Sequence, residues 1–154
     1  MKIPIVDDED NIIYHVERSE KKDEEVCRTA GLWVTDTEGN ILLAQRSFNK
    51  KYYPGMWGPA AAGVIEEGET YKDGIMRETK EEIGLININP TIGEKIKFPD
   101  CFSQQFFLTI PVGFNDFVIQ EEEVKQVKWF SREDLKKEIN NNPDIFIKFI
   151  SELI

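Results

Sequence analysis

Apolar residues come in short bursts along this chain, each bounded by acids, glycine or proline. Residues 3–6 and 11–16 flank the acidic turn Asp7-Asp8-Glu9-Asp10, which predicts a hairpin. The charged stretch 18–25 reads as a short helix or a loop. Residues 29–35 and 40–46 bracket Asp36-Thr37-Glu38-Gly39 and predict a second hairpin. Pro54, Gly55, Gly58 and Pro59 make 48–59 a structured loop, and the small apolar run 60–65 a buried strand. Over 70–83 the spacing predicts a helix. Thr70 caps it with Asp73 three residues on, and Gly84 stops it in the left-handed conformation. Strands are expected at 86–98, 102–112 and 124–130. Ser131, with Asp134 at the third helical position, starts another helix. Pro143 opens a terminal one with Ile145, Phe149 and Ile150 along one face. Strands, a middle helix, more strands and late helices predict an α+β chain, a sandwich of sheet and helices.

At 154 residues the chain has a one-domain length, and 1–154 is expected to be a single domain with 1–25 as an N-terminal extension. Its 29 acidic and 19 basic residues give a net charge of −10. A polyanion such as a nucleic acid polymer or an anionic membrane is a poor partner for such a surface. A small phosphorylated molecule remains compatible if a divalent cation stands between acids and phosphates. Cys27 and Cys101 form no CxxC pair and His15 is the sole histidine, which argues against a zinc site and a disulfide framework. The thiols fit a reducing cytoplasm. The first residues lack the apolar core of a signal peptide, and no apolar run approaches the roughly 20 residues that span a bilayer. A cytoplasmic protein is the expectation.

The most informative segment is 63–85, GVIEEGETYKDGIMRETKEEIGL. Glu78, Glu81 and Glu82 stand at i, i+3 and i+4, so a helix projects them from one face. Like charges at this spacing repel, and the C-terminal half of a helix disfavours anions. A hard cation such as Mg²⁺ would turn that repulsion into ligation. The bland alternative is a solvated acidic face, with Arg77 and Lys80 as partners.

The register around these acids changes the balance. Gly63, Glu69, Arg77-Glu78, Glu81-Glu82, Gly84 and Leu85 stand at the intervals of the Nudix box, G-x5-E-x7-R-E-U-x-E-E-x-G-U. The segment resembles that box at every charged and glycine position, and departs from it where Thr79 replaces an aliphatic residue. The resemblance implies a Nudix fold, a mixed β-sheet between helices. It implies Mg²⁺ or Mn²⁺ held by Glu78, Glu81, Glu82 and the carbonyl of Gly63, and a structural ion pair between Glu69 and Arg77. The implied reaction is hydrolysis of a pyrophosphate bond in a nucleoside diphosphate derivative or other small diphosphate compound. Glu81 is the first choice for the general base and Glu78 the second. Glu121, Glu122 and Glu123 are candidates for a ligand outside the box.

The likeness extends further. Residues 42–47, Lys50 and Tyr53-Pro54-Gly55-Met56-Trp57 resemble the branch that includes isopentenyl-diphosphate isomerase and its hydrolase-like relatives. That branch implies a diphosphate grip by Arg46 and Lys50. Isomerisation is disfavoured, because 58–63 holds neither the cysteine nor the histidine that such an enzyme carries before its box. A noncatalytic nucleotide-binding module is the third reading, and the intact set of box glutamates counts against it. The family often forms homodimers, and the sequence leaves that state open. Trp33, Trp57, Phe106 and Phe107 are candidates to stack on a base, though such aromatics more often fill the core or the loop base; Trp33 and Trp129 are assigned to the core and Trp57 is left open.

Overall fold

The computed structural model describes residues 1–153. Its strands are β1 (Lys2–Val6), β2 (Ile12–Glu17), β3 (Cys27–Asp36), β4 (Ile41–Arg46), β5 (Trp57–Gly58) and β6 (Ala61–Val64). After helix α1 (Tyr71–Ile83) come β7 (Thr91–Lys97), β8 (Cys101–Ile110) and β9 (Val124–Phe130), then α2 (Arg132–Asn141) and the short α3 (Ile150–Leu153). The class is α+β, with a Nudix-type mixed sheet between helices.

β1 and β2 form the expected antiparallel N-terminal hairpin. The remaining seven strands make one sheet in the order β5-β4-β3-β8-β7, with β6 on β3 and β9 on β4. The β3–β8 pair is parallel and runs the full length of both strands, from Cys27 opposite Cys101 to Asp36 opposite Ile110. The other pairs are antiparallel. β3 pairs with β4 only near the turn, then leaves it for β6.

Both faces of this sheet are covered, so its central strands bury consecutive residues, as at 30–34 and 41–44, rather than alternate ones. Successive side chains still point to opposite faces. Ala30, Leu32, Val34 and Leu42 pack towards α1 with Ile75, Ile83 and Phe106. Trp33, Ile41 and Leu43 pack on the other face, against Leu135 of α2 and the C-terminal residues Phe146 and Ile150. Trp57 and Phe130 join that second layer, edge to face with centroids 5.4 Å apart. The aromatic assignment is therefore uneven. Trp33, Trp57 and Phe106 are core, Trp129 packs partly buried against it, and Phe107 lies exposed on the outside of β8.

Helix α1 has the boundaries its sequence predicts. Thr70 Oγ1 accepts from the Asp73 N–H, and Asp73 Oδ2 accepts from the Thr70 N–H, a reciprocal capping box. Gly84 ends the helix at φ 75°. A Cβ there would meet the Cβ of Val118 at 2.8 Å, because residues 118–120 close over the helix end. Val118 N–H donates to Ile83 O and Gln120 N–H to Glu82 O, which satisfies two otherwise orphaned carbonyls.

Two expectations need correction. The strand expected from residue 86 begins at Thr91. Asn87 adopts φ 56° and Pro90 lacks an N–H, so 86–90 cannot join the ladder. The terminal helix expected from Pro143 is instead a 3₁₀ turn at Pro143–Ile145, an extended Phe146 bridged to Trp57, and the separate α3. Burial of Phe146 against the sheet wins over helix continuation. The stretch 18–25, expected as a short helix or a loop, is a loop that begins with one 3₁₀ turn, Arg18–Glu20.

Candidate functional site

The box residues converge where β6, the following loop and α1 meet, and Arg77 is their centre. Its Nε donates to Glu69 Oε2 at 2.8 Å and its Nη2 to Glu69 Oε1 at 2.9 Å, a bidentate pair. Nη2 also reaches the Val64 carbonyl at 3.1 Å. Glu69 Oε1 in turn accepts from the Glu66 N–H at 2.7 Å, so the loop is bonded to the helix through two side chains. Hydrogen bonds from Arg77 hold the Glu69 carboxyl below the usual carboxylate range, against the opposing effect of burial. Arg77 also donates to Glu78 at 2.7 Å and lies 3.5 Å from Glu81.

The three helix glutamates occupy different environments. Glu78 is largely buried and presses on β6. A Cβ added to Gly63 would lie 2.2 Å from the Glu78 Cδ, so only glycine admits the carboxylate at that place. Burial raises the Glu78 carboxyl, partly offset by Arg77. Glu82 lies deeper, with Oε1 accepting from the Ala62 N–H at 2.9 Å. Burial pushes its carboxyl up to about 8, the Ala62 N–H opposes this, and the charges of Glu78 and Glu123 add to it. Glu81 is half exposed at the rim. Thr79, which departs from the box pattern, is fully buried. Its hydroxyl donates to the Ile75 carbonyl at 2.6 Å and so carries no unpaired polar group into the core.

Two cavities adjoin here. The polar one is lined by Gly63, Glu78, Glu81, Arg46, Lys50 and Arg18, among others. The second, of about 250 Å³, is walled mainly by apolar and aromatic side chains, with Glu82 also on its wall. Ala30, Arg46, Ala62 and Glu123 line both. Arg46 is steadied by donating Nε–H to the Tyr52 carbonyl at 3.0 Å. Lys50 pairs with Glu123. Of the three late glutamates, Glu123 faces the site, Glu122 is exposed, and Glu121 lines a separate shallow pocket beside Ser47. Sequence reasoning missed Arg18, hidden in a charged run, and the residues walling the apolar cavity, whose elements lie far apart in the chain.

Among the described residues, no three Asp, Glu, His or Cys side chains are drawn together as a ready cation cage. Their present partners account for this, since Arg77 engages Glu78 and Glu81, and the Ala62 N–H engages Glu82. The donor set nevertheless fits a hard cation. Glu78, Glu81, Glu82 and the Gly63 carbonyl are oxygen donors, the donor type that Mg²⁺ prefers.

A family model for the NUDIX domain matches residues 26–149. An uncharacterized Nudix hydrolase of Listeria innocua is 30% identical over 122 residues, covering 78% of this chain and 72% of that protein. Another, from Yersinia pestis, is 28% identical over 135 residues, covering 86% and 74%. Among solved structures, that of DR0079 from Deinococcus radiodurans matches with a TM-score of 0.83 at 17% identity, covering 99% of this chain and 96% of that one. An Ap4A hydrolase of C. elegans matches with a TM-score of 0.54 at 22% identity, covering 74% and 84%. At such identities the structural likeness speaks for the fold alone. With the domain matched over most of the sequence and the box assembled around Arg77, the chain belongs to the Nudix hydrolase family.

Proposed function

We propose that this protein is a metal-dependent hydrolase of a small diphosphate compound and that its chemistry takes place in the polar cavity. Members of its family act on pyrophosphate bonds, generally in nucleoside diphosphate derivatives, and generally use a divalent metal. The observation that carries the reading to this chain is the junction of the two cavities. Carboxylates and cations line one, apolar walls line the other, and Arg46 belongs to both. That arrangement suits a ligand with a charged phosphate end and an uncharged body.

Glu78, Glu81, Glu82 and the Gly63 carbonyl would hold the Mg²⁺ or Mn²⁺, with Glu123 as a further donor from outside the box. Such a cation would supply charge to neutralise phosphate oxygens and would lower the pKa of water at this place. Arg46 and Lys50 bind the diphosphate and orient it, and Arg18 adds positive charge on the same side. Glu81, at the exposed rim, accepts the proton of the attacking water, with Glu78 second in line. Glu69 and Arg77 act through geometry by fixing the loop to the helix. Isomerisation has no acid in place, because Cys27 packs beneath the N-terminal hairpin with Ile3 and Ile5 and lines neither cavity. The reaction is that of a cytoplasmic enzyme on a small substrate. No described helix is long and apolar enough to cross a membrane.

The test is release of phosphate or pyrophosphate from nucleoside triphosphates, nucleotide sugars, dinucleotides and isoprenoid diphosphates, with Mg²⁺, with Mn²⁺ and with chelator. Metal-dependent release that disappears in Glu81→Gln is expected. Silence across the panel, with metal binding intact, would replace the hydrolase reading by a binding role.

A further inference from the structure

We propose that Arg18 grips the phosphate that lies beside Glu78, and that Asp10, at the far end of the same hairpin, is its positioning residue. The inference rests on the hydrolase reading only for the identity of the anion. The N-terminal hairpin is then a wall of the active site rather than an appendage to it.

Arg18 follows β2 directly and lines the polar cavity with Glu78, Glu81, Arg46 and Lys50. Its charge acts on Glu78. Burial raises that carboxyl, Arg77 opposes burial, and Arg18 adds a smaller opposition from the hairpin side. The other side-chain cations of the cavity are engaged. Arg77 holds Glu69 and Glu78, Lys50 holds Glu123, and Arg46 commits its Nε–H to the Tyr52 carbonyl. Among the described residues the Arg18 guanidinium has neither a hydrogen bond nor an ion pair. An uncommitted guanidinium fork suits a phosphate, which accepts two parallel N–H bonds.

The hairpin carries Arg18 on a ladder that runs from Lys2 opposite Glu17 at the open end to Val6 opposite Ile12 at the turn. At the open end Arg18 N–H donates to the Met1 carbonyl, and Glu67 N–H, from the loop before α1, donates to the Lys2 carbonyl, both at 2.9 Å. Ile3 and Ile5 pack with Cys27 and Val64, a contact that is not directional and leaves rotation loosely fixed. The turn end carries the directional latch. Asp10 Oδ1 receives Arg28 Nε–H at 2.7 Å, and Oδ2 receives Lys95 at 2.7 Å and the Tyr71 hydroxyl at 2.9 Å. These partners belong to β3, β7 and α1, so one carboxylate pins the turn to three elements of the body.

A second turn of the same build separates latch from turn chemistry. Asp7-Asp8-Glu9-Asp10-Asn11 and Asp36-Thr37-Glu38-Gly39-Asn40 fold alike. In each the first aspartate accepts from the N–H groups two and four residues on, all at 2.9 Å. In each the fourth residue is left-handed, Gly39 at φ 84° and Asp10 at φ 65°. Glycine meets that demand without steric cost, and the β3–β4 turn uses it. The N-terminal turn carries aspartate there instead. The turn does not need its carboxylate; the latch does.

Methylenediphosphonate, which resists hydrolysis, tests this by calorimetric titration with Mg²⁺ present. Arg18→Ala is expected to weaken its binding about tenfold, the loss of one charge-assisted contact, and Arg18→Lys to recover part of that. Asp10→Gly keeps the turn and removes the latch, and should weaken binding about threefold in the parent and not at all in Arg18→Ala, because Asp10 acts through Arg18. Mg²⁺ titrated alone should bind no more weakly in any variant. Leu135→Val, destabilised on the other face of the sheet, should bind methylenediphosphonate normally, which separates positioning from loss of stability. Full affinity in Arg18→Ala or in Asp10→Gly, or equal losses from Asp10→Gly in both backgrounds, would overturn the proposal. So would a matching loss in Leu135→Val or in Mg²⁺ binding. The expected losses without metal-dependent hydrolysis would leave it standing and remove the hydrolase reading. Failure of methylenediphosphonate to bind the parent protein would remove both.

Discussion

Lys50 Nζ lies 2.5 Å from Glu123 Oε2, so a proposed phosphate-binding cation and a proposed metal-binding anion neutralise each other in the free protein. The pairing of β4 with β9 brings them together, since Arg46 lies opposite Val124. A metal drawing on Glu123 would release Lys50 for a diphosphate, and a diphosphate drawing on Lys50 would release Glu123 for a metal. Each ligand would thereby favour the other.

Lys50→Ala is accordingly expected to raise KM for a diphosphate substrate by about tenfold and to change kcat less, as for a residue that binds ground and transition states alike. Glu123→Gln should strengthen the binding of pyrophosphate measured without metal, because Lys50 is then unpaired. Initial rates and calorimetry check the two halves. A kinetically silent Lys50→Ala would return Lys50 to the role of surface cation.

Much of this site was legible because its devices are local. Thr70 with Asp73, the stop at Gly84 and the one-faced row Glu78, Glu81, Glu82 all follow from fixed offsets along a single helix. The sheet's inner strands were legible as apolar runs, but the parallel pairing of β3 with β8 was not, because nothing in either strand names its neighbour. The C-terminal segment was misread for a related reason. Ile145, Phe149 and Ile150 keep a helical spacing, yet Phe146 is held extended by a bridge to Trp57, almost ninety positions earlier in the chain. Phe149 and Ser103 meet at one cavity through long-range packing that no motif records.

The Glu82 carboxyl gives the metal-free protein a pH signature. Its folded pKa, about 8, lies above the ordinary value of 4.5, so between those values the folded state holds a proton that the unfolded state has lost. Stability must then fall as pH rises through this window. Thermal unfolding in chelator should show Tm declining by several degrees from pH 5 to pH 8. Mg²⁺ should flatten the decline by supplying the missing charge. Glu82→Gln should remove the Glu82 share of the slope and weaken Mg²⁺ binding in calorimetry. An unchanged slope in Glu82→Gln would assign the proton to another group.

Arg77 should matter for stability as well as for activity. It bonds Glu69, Glu78 and the Val64 carbonyl from a largely buried position. Arg77→Ala leaves carboxylates facing one another without their cation, a change expected to cost about 3 kcal/mol in urea unfolding. Arg77→Lys should recover little of this, since an ammonium cannot reproduce the bidentate pair with Glu69. Full rescue by lysine would show that charge alone, not fork geometry, ties the loop to α1.

Asp10 fastens the N-terminal hairpin, and its contribution can be separated from packing by pH. The residue sits at φ 65° and receives Arg28 Nε–H on one oxygen and Lys95 and Tyr71 on the other. Burial opposes its ionisation, and hydrogen bonds from Lys95, Arg28 and Tyr71 outweigh burial, holding the carboxyl below its usual value of 3.8. Such a depressed group stabilises the fold above the unfolded pKa and loses that effect as pH falls through the folded pKa. Asp10→Asn keeps the shape and tolerates the left-handed conformation, but removes the charge. It should cost about 2 kcal/mol in urea unfolding at pH 7. The difference from the parent protein should shrink at about pH 3, where the aspartate begins to protonate. An equal loss at both pH values would mean that the side chain works by fit alone. A loss confined to neutral pH would establish that the charge of Asp10 holds the hairpin, and with it Arg18, against the body of the protein.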